Sequence, residues 1–478
     1  MATKIFQLKG SDWLKGYSAD KYFPLGGIFR YATRFDPFRQ MGYLAPSIAP
    51  TQYGGSTIDT TIKWLTNFSA SGTGYFYGQS DTELYQINAI TGSTSDVTSS
   101  ITVSTKVYGA LVWRNKYVYS IGNGSSSQKI YSAALPVSGA TEILSVSNYG
   151  YENVMCVGAD GNLYITNGKD IAKCILESGT TGNSGAVYSL ETGQISRDLV
   201  NDGTYLVIIS DNNTDKTLGK NRCSVSFWDM SKGTVDRRWD IDDSYLIGAE
   251  IIDGIIYIVG RDGLYACNFS NAPRLVFPFN GNSTIISSPS SASQVVKYKN
   301  SILFADSGSG AVYAFGSLLP NQNKVMYQPI GSLSGNVTAI SYNGYNTWTA
   351  TDTPALYNHT FGNTYNTLDM RLAPIILDQP FKFCFAKCVL QSKLSSGQGI
   401  DFRLASADGN GVISDLISIS YDSNNARQVI MFEPKPNGFG NDVLSFEEMI
   451  PFISLYGGAC LERLEIWADP VDPLNTTL

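Results

Sequence analysis

Short apolar runs, each ended by a tight polar turn, fill the middle of the chain, and that spacing marks β-strands rather than helices. The stretch from Ile251 to Phe269, IIDGIIYIVGRDGLYACNF, shows the pattern: an apolar run from Ile255 to Val259, a turn at Arg261-Asp262-Gly263, and a return through Leu264-Tyr265. Successive strand residues point to opposite faces, so an apolar residue followed by tyrosine puts a large side chain on each side. Such a hairpin needs cover on both faces.

The same dipeptide type recurs after a turn at Leu84-Tyr85, Ile130-Tyr131, Leu163-Tyr164, Phe227-Trp228, Leu264-Tyr265, Val312-Tyr313 and Leu356-Tyr357, seven copies in all. The mean spacing of about 45 residues is that of a four-stranded propeller blade. The individual steps, 46, 33, 64, 37, 48 and 44 residues, are uneven around the third copy, where Val187-Tyr188 is a rival anchor. The pattern predicts an all-β chain: a seven-bladed β-propeller over residues 58–370, with an extended N-terminal arm before it and a C-terminal β-sandwich after it.

The arm, residues 1–57, has no strand or helix period; Pro24, Pro37, Pro46 and Pro50 interrupt it. Its aromatic side chains, Trp13, Tyr22, Phe23, Phe29, Tyr31, Phe35, Phe38 and Tyr43, are too many to leave in water, since burying each contributes about 1.5–3 kcal/mol. The arm is expected to clamp onto a surface, either its own propeller or a neighbouring subunit. The run Thr60 to Asn67, TIKWLTNF, is a candidate to pair with the last blade and close the ring. Over 371–478 the repeat stops, and longer strands with clearer alternation, such as Leu464, Ile466 and Ala468 against Arg463, Glu465 and Trp467, predict the sandwich.

Composition changes this picture little. With 478 residues, 29 tyrosines and 46 glycines, the chain is large enough for several domains and reads as β-rich. Its formal charge of −7 argues against a nucleic-acid surface, yet residues 1–40 carry seven Lys/Arg against three Asp, a local +4. A basic arm on an acidic body suits contact between subunits, and scattered surface charge is the alternative. No apolar run reaches the length of a membrane span, and the N-terminus lacks the layout of a signal peptide. The seven cysteines, an odd number without a CxxC, read as buried free thiols; Cys384 and Cys388, four apart on an expected strand, fall on one face.

Candidate chemistry is sparse. The single histidine, His359, sits in an expected Tyr357-Asn358-His359-Thr360 loop, so nucleophilic triads and multi-histidine metal sites lack their parts. The polar run from Ser210 to Asn221, with Asp211, Asn212, Asn213 and Asp215, and the Asp408-Gly409-Asn410-Gly411 run read as solvated turns rather than calcium loops. Trp228-Asp229 and Trp239-Asp240 lack the Gly-His partner of WD40 repeats. No catalytic, cofactor-binding or metal-ligating residue is therefore assigned, and no cofactor is expected. Carboxylates and tyrosines alone suffice for some glycosidases, which keeps a carbohydrate-active enzyme as a third reading.

The run Gly26-Gly27-Ile28-Phe29-Arg30-Tyr31 through Phe35-Asp36-Pro37-Phe38-Arg39 to Gly42-Tyr43-Leu44, followed by Glu83-Leu84-Tyr85-Gln86-Ile87-Asn88 and Thr91-Gly92, resembles uncharacterised structural proteins of tailed bacteriophages. The resemblance implies a non-enzymatic virion component, made in the host cytoplasm and placed in the tail. Its partners would be other virion structural proteins and copies of itself, with neither nucleic acid nor a membrane span. The alternative is a propeller that binds a glycan or receptor at the host surface, because exposed aromatic rings stack on sugars as readily as they anchor protein contacts.

Overall fold

The computed structural model describes residues 2–16, 29–40, 42–53, 58–70, 73–102, 106–122, 127–147, 149–212, 223–279, 295–306, 310–317, 323–331, 333–359, 365, 367–405, 412–420, 422, 428–433 and 445–471. Within them the only helices are two short 3-10 turns, Gly10–Lys15 and Thr98–Ser100. The chain divides into two compact units. One comprises Pro50–Val312 and Ser332–Thr360; the other comprises Met1–Ala49, Tyr313–Gly331 and Phe361–Leu478.

Seven four-stranded antiparallel sheets make a seven-bladed β-propeller. Blade 1 runs through Trp64–Ala70, Thr73–Gln79, Leu84–Asn88 and Thr94–Asp96, and blade 2 through Lys106–Trp113, Lys116–Gly122, Ser127–Ala134 and Ser138–Ser147. Blade 3 has Met155–Val157, Leu163–Asn167, Asp170–Cys174 and Ser184–Ser189; blade 4 has Ile195–Asn201, Leu206–Asp211, Cys223–Trp228 and Arg237–Ile241. Blade 5 is Leu246–Ile252, Ile255–Gly260, Gly263–Cys267 and Arg274–Pro278, and blade 6 is Val296–Tyr298, Ser301–Asp306, Ala311–Gly316 and Val325–Ile330. Blade 7 takes Val337–Tyr342, Thr347–Thr351 and Ala355–His359, and borrows its fourth strand, Thr51–Tyr53, from far upstream. The first strand of each blade packs against the first strand of the next, and that of blade 7 meets that of blade 1, so the ring is complete.

The strand alternation explains why these sheets cannot stand apart. In blade 1, Phe76 and Tyr85 join a core shared with Trp348 and Leu356 of blade 7, while Tyr77 and Leu84 join one shared with Tyr117 and Ile121 of blade 2. In blade 4, Leu206, Ile208 and Trp228 face blade 3, whereas Val207, Ile209 and Phe227 face blade 5. The dipeptides Leu84-Tyr85, Ile130-Tyr131, Leu163-Tyr164 and Phe227-Trp228 thus each feed two different seams, as the pattern predicts.

Two expectations about the ring change. Six of the dipeptides lie on the third strand of their blade, but Leu163-Tyr164 lies on the second strand of blade 3, and Val187-Tyr188 lies on the fourth. The third strand there, Asp170–Cys174, carries no aromatic residue, which accounts for the short and long steps. Closure also differs: Trp64–Ala70 pairs with Thr73–Gln79 inside blade 1, and the strand that closes blade 7 is Thr51–Tyr53, with Thr51 opposite Asn358 and Tyr53 opposite Leu356. Three residues suffice because Tyr53 adds its ring to Trp348 at 5.4 Å.

The other unit contains nine connected strands, in the order Thr3–Lys9, Leu461–Pro470, Ile375–Leu390, Ser445–Tyr456, Thr367–Leu372 and Phe29–Thr33. Gly399–Ala405 and Val412–Ser420 branch from Ser445–Tyr456, and Val429–Phe432 pairs with Ile375–Leu390. The described parts of the first 33 residues therefore include two strands of this sheet. Trp13 is fully buried and donates its indole N–H to the Glu462 carbonyl at 2.8 Å. Phe402 stacks on Phe383 and on Phe432 at 6.3 and 5.4 Å. A bulge between Phe383 and Phe385 changes the face presented by the chain there, so Cys384 is partly exposed while Cys388 is buried; the one-face expectation for this pair fails for that reason.

Candidate functional site

The innermost strands of a propeller line its axis, and chemistry-bearing side chains gather there. In blades 2, 4, 5 and 7 this strand carries a bulge near its start, at Val107/Gly109, Ser196/Asp198, Leu246/Gly248 and Val337/Ala339. Bulges re-aim side chains and free backbone groups. In blades 2, 5 and 7 a small residue follows the bulge, Gly109, Gly248 or Ala339, and a Cβ on Gly109 would lie 2.0 Å from the Asn153 carbonyl oxygen of the next blade.

Blade 4 places Asp198 after its bulge. The carboxylate accepts the N–H of Leu199 at 2.8 Å and reaches across the seam to the N–H of Ala249 in blade 5, also at 2.8 Å. Burial pushes this carboxyl up to about 8, partly opposed by those two N–H bonds. Glu250, on the first strand of blade 5, accepts the N–H of Ile251 at 2.9 Å, and a backbone bond from Lys297 of blade 6 also stabilises its charged form; burial still raises its pKa. The same device therefore serves two consecutive seams. Beside it, Arg197 donates through Nε to Asp211 Oδ2 at 2.8 Å, and that oxygen also accepts the N–H of Leu246 at 3.3 Å. Glu152, at the start of blade 3, is raised by burial and pulled down by the charges of Arg197, Lys106 and Lys63 from three blades.

Elsewhere the titratable groups are similarly committed. Asp243 accepts N–H bonds from Arg261 at 3.1 Å, Asp262 at 3.0 Å and Tyr245 at 3.3 Å, and burial raises it. Asp160 is held at about 2: burial works against this, but Lys173, Asn162 and Tyr164 all donate to it.

His359 is not in a loop. It ends the buried strand Ala355–His359, where its Nε2 lies 3.0 Å from Thr349 Oγ1, and burial drives its pKa down to about 3. In the register of that strand His359 lies opposite Thr347 and Asn358 opposite Trp348. All seven cysteines are free; burial raises Cys156, Cys174 and Cys267 to about 12, and pushes Cys223 and Cys388 higher still. A thiol with a raised pKa is a poor nucleophile. Among the described residues no group of three His, Cys, Asp or Glu side chains is placed to hold a metal. Asp211 and Asn212 lie at the end of a blade 4 strand, whereas Asn213 to Asn221 and Asp408 to Gly411 lie outside the described residues. No helix of the described residues is long and apolar enough to cross a membrane.

The sequence reading missed Asp198 and Glu250. For Glu250 a signal existed, an acid inside the otherwise apolar strand Leu246–Ile252; Asp198, next to Ser196 and Arg197, gave none.

No protein-family model and no curated protein matches the chain. Among solved structures, the computationally designed Ika8 protein is 12% identical, with 66% of this chain and 98% of that one covered at a TM-score of 0.42. BamB from Moraxella catarrhalis is 13% identical, with 76% and 100% covered at 0.39, and a chain of the Mitotic Checkpoint Complex is 13% identical, with 67% and 93% covered at 0.41. The propeller is defined by the strand topology above, not by these matches.

Proposed function

We propose that this chain is a non-enzymatic structural component of a tailed-phage particle, made in the host cytoplasm and built into the tail. In this reading the propeller is a rigid disc, and the nine-stranded unit makes contacts with other virion proteins and with copies of the same chain. One observation carries it: the acids along the inner strands are spent on backbone N–H groups of their own and neighbouring blades, Asp198 on Leu199 and Ala249 above all. Groups tied up in this way hold blades together. The resemblance of the aromatic arm to phage structural proteins supplies the setting. Mass spectrometry of purified virions tests the proposal directly, with the chain expected at structural stoichiometry; its absence from particles that contain the other tail proteins would refute it.

A second reading, recognition of a host-surface glycan, is favoured by the column in which Tyr205 stacks on Phe269 at 4.7 Å and Arg237 lies over both Phe269 and Trp239 at 4.9 and 5.0 Å, all four partly exposed. Aromatic and guanidinium planes of this kind stack on sugars. A glycan array separates the two readings, since a scaffold gives no selective signal, and turnover of the bound polysaccharide would point instead to an enzyme.

A further inference from the structure

Four strands of the nine-stranded unit lie side by side in the order Thr3–Lys9, Leu461–Pro470, Ile375–Leu390 and Val429–Phe432. Their alternation gives two unlike faces. One is core, with Leu464, Ile466, Ala386, Cys388, Ile430 and Phe432 all at 0% exposure.

The opposite face is apolar and basic. Trp467 sits opposite Phe385, and their partly exposed rings stack at 5.5 Å. In the next row Lys387 stands between Glu465 and Met431, and in the row after it Arg463 stands between Lys9 and Val389, with Val429 beyond. Met431 and Val429 are 40% and 46% exposed. Lys4 completes the first row opposite Trp467. The one acid among these positions, Glu465, is only 6% exposed and is already engaged by Arg463 Nε at 3.5 Å, Gln7 Nε2 at 3.4 Å and Lys4 Nζ at 4.0 Å. Lys4, Lys9, Lys387 and Arg463 therefore give the face a positive field with aromatic and aliphatic anchors between the charges.

The chain as a whole is at −7, and the propeller unit, residues 50–312 and 332–360, holds 24 Asp/Glu against 18 Lys/Arg. The basic face thus has its electrostatic complement on its own kind of molecule. It cannot bind itself across a two-fold axis, because that would set cations against cations; a contact with a different surface is heterologous and propagates into a ring or a filament.

We propose that this sheet face docks head to tail on the acidic propeller unit of a second copy of the chain. The idea deepens the assembly reading and rests on it only for its biological purpose. Sedimentation velocity of the full-length protein tests it, at about 50 mM and about 500 mM salt, where screening lengths differ severalfold. The expected result is concentration-dependent association at low salt that is lost at high salt and weakened about tenfold or more by Lys387→Glu and by Met431→Asp. Both side chains are at least partly exposed, and unchanged circular dichroism verifies the fold of the variants. Lysine-to-carboxylate cross-linking between isotopically light and heavy copies should join Lys387 or Lys4 to the propeller unit. A monomer at every concentration, association indifferent to both variants, or cross-links only from sheet face to sheet face would each overturn the proposal. Absence of the chain from virions would sink the phage setting but leave this result standing, and a monomer inside virions would do the reverse.

Discussion

Replacing Asp198 by Asn should change how stability depends on pH more than it changes stability at any one pH. In the folded chain burial holds the carboxyl at about 8, against an ordinary value of 3.8. A raised acid keeps its proton in the folded state while the unfolded chain releases it, so its contribution is largest below pH 4 and is lost as pH climbs to about 8. One pH unit is about 1.4 kcal/mol when a single proton differs, and between pH 5 and pH 8 the wild type should lose about 3–4 kcal/mol from this group alone. Asparagine removes that slope. It also accepts only one of the two N–H bonds now made by Leu199 and Ala249, at a cost of about 1–3 kcal/mol for the unmet donor. The two effects have opposite signs across the range: Asp198→Asn should be the weaker protein at pH 5 and should draw level with or overtake the wild type by pH 8.5. Urea midpoints read by tryptophan fluorescence from pH 5 to pH 9 measure the difference, in which the raised acids common to both proteins, Glu250, Glu152 and Asp243, cancel. Parallel midpoint curves for the two proteins would refute the reasoning.

Other consequences follow from the same seams. Trp348 is wholly buried between Tyr53 and Phe76, at 5.4 and 5.5 Å; Trp348→Ala should cost about 3–5 kcal/mol, seen as a lower thermal midpoint. Gly92 has φ +69°, and a Cβ there would lie 2.1 Å from the Tyr53 ring, so Gly92→Ala should destabilise by about 1–3 kcal/mol, and adding Tyr53→Ala should recover less than additively. Cys174, Cys223, Cys267 and Cys388 should resist iodoacetamide at pH 8 in the native protein and react once unfolded, with intact-mass analysis counting the adducts.

How much of this was legible in the sequence depends on whether the deciding contact is local. Leu264-Tyr265 announces a strand covered on both faces because strand alternation alone demands it, and the blade count follows from its recurrence. The dipeptide says only that a strand follows a turn, not which strand of the blade it is. Leu163-Tyr164 follows the first turn of blade 3 rather than the second, and the count survives while the phase slips. Thr51–Tyr53 could not be recognised because three residues carry no period, and their partner lies some 300 positions downstream. His359 looked like part of a loop because Asn358 beside it is polar, yet in the strand His359 finds Thr349 Oγ1 as a partner 3.0 Å away. The bulge at Cys384 is likewise invisible without its partner strand, and it leaves Cys384 partly exposed while Cys388 stays buried.

The seven seams are not equally strong, and the geometry says where the ring should open first. The other six blades draw all four strands from one continuous stretch, so each outer strand follows a short turn or loop. Blade 7 instead waits for Thr51–Tyr53 to meet Ala355–His359, which closes a loop of nearly the whole propeller and carries the entropy of that closure. Three residue pairs form there, as at the outer strands of blades 1 and 3 and against five between Cys223–Trp228 and Arg237–Ile241 in blade 4, so it is the long closure rather than the pair count that sets blade 7 apart. The carboxylate clamps of Asp198 and Glu250 lie on the far side of the ring, across the seams from blade 4 to blade 6, and lend the closing seam nothing. What holds it is the aromatic contact of Tyr53 with Trp348 and the fit of that ring over Gly92. Native-state hydrogen exchange should therefore show the Thr51–Tyr53 amides opening at a lower free energy than those of Arg237–Ile241, and Tyr53→Ala should speed the first set without touching the second. Equal protection of the two strands, or a Tyr53→Ala effect spread evenly round the ring, would mean that the propeller unfolds as one cooperative body and that its closing strand is no weaker than the rest.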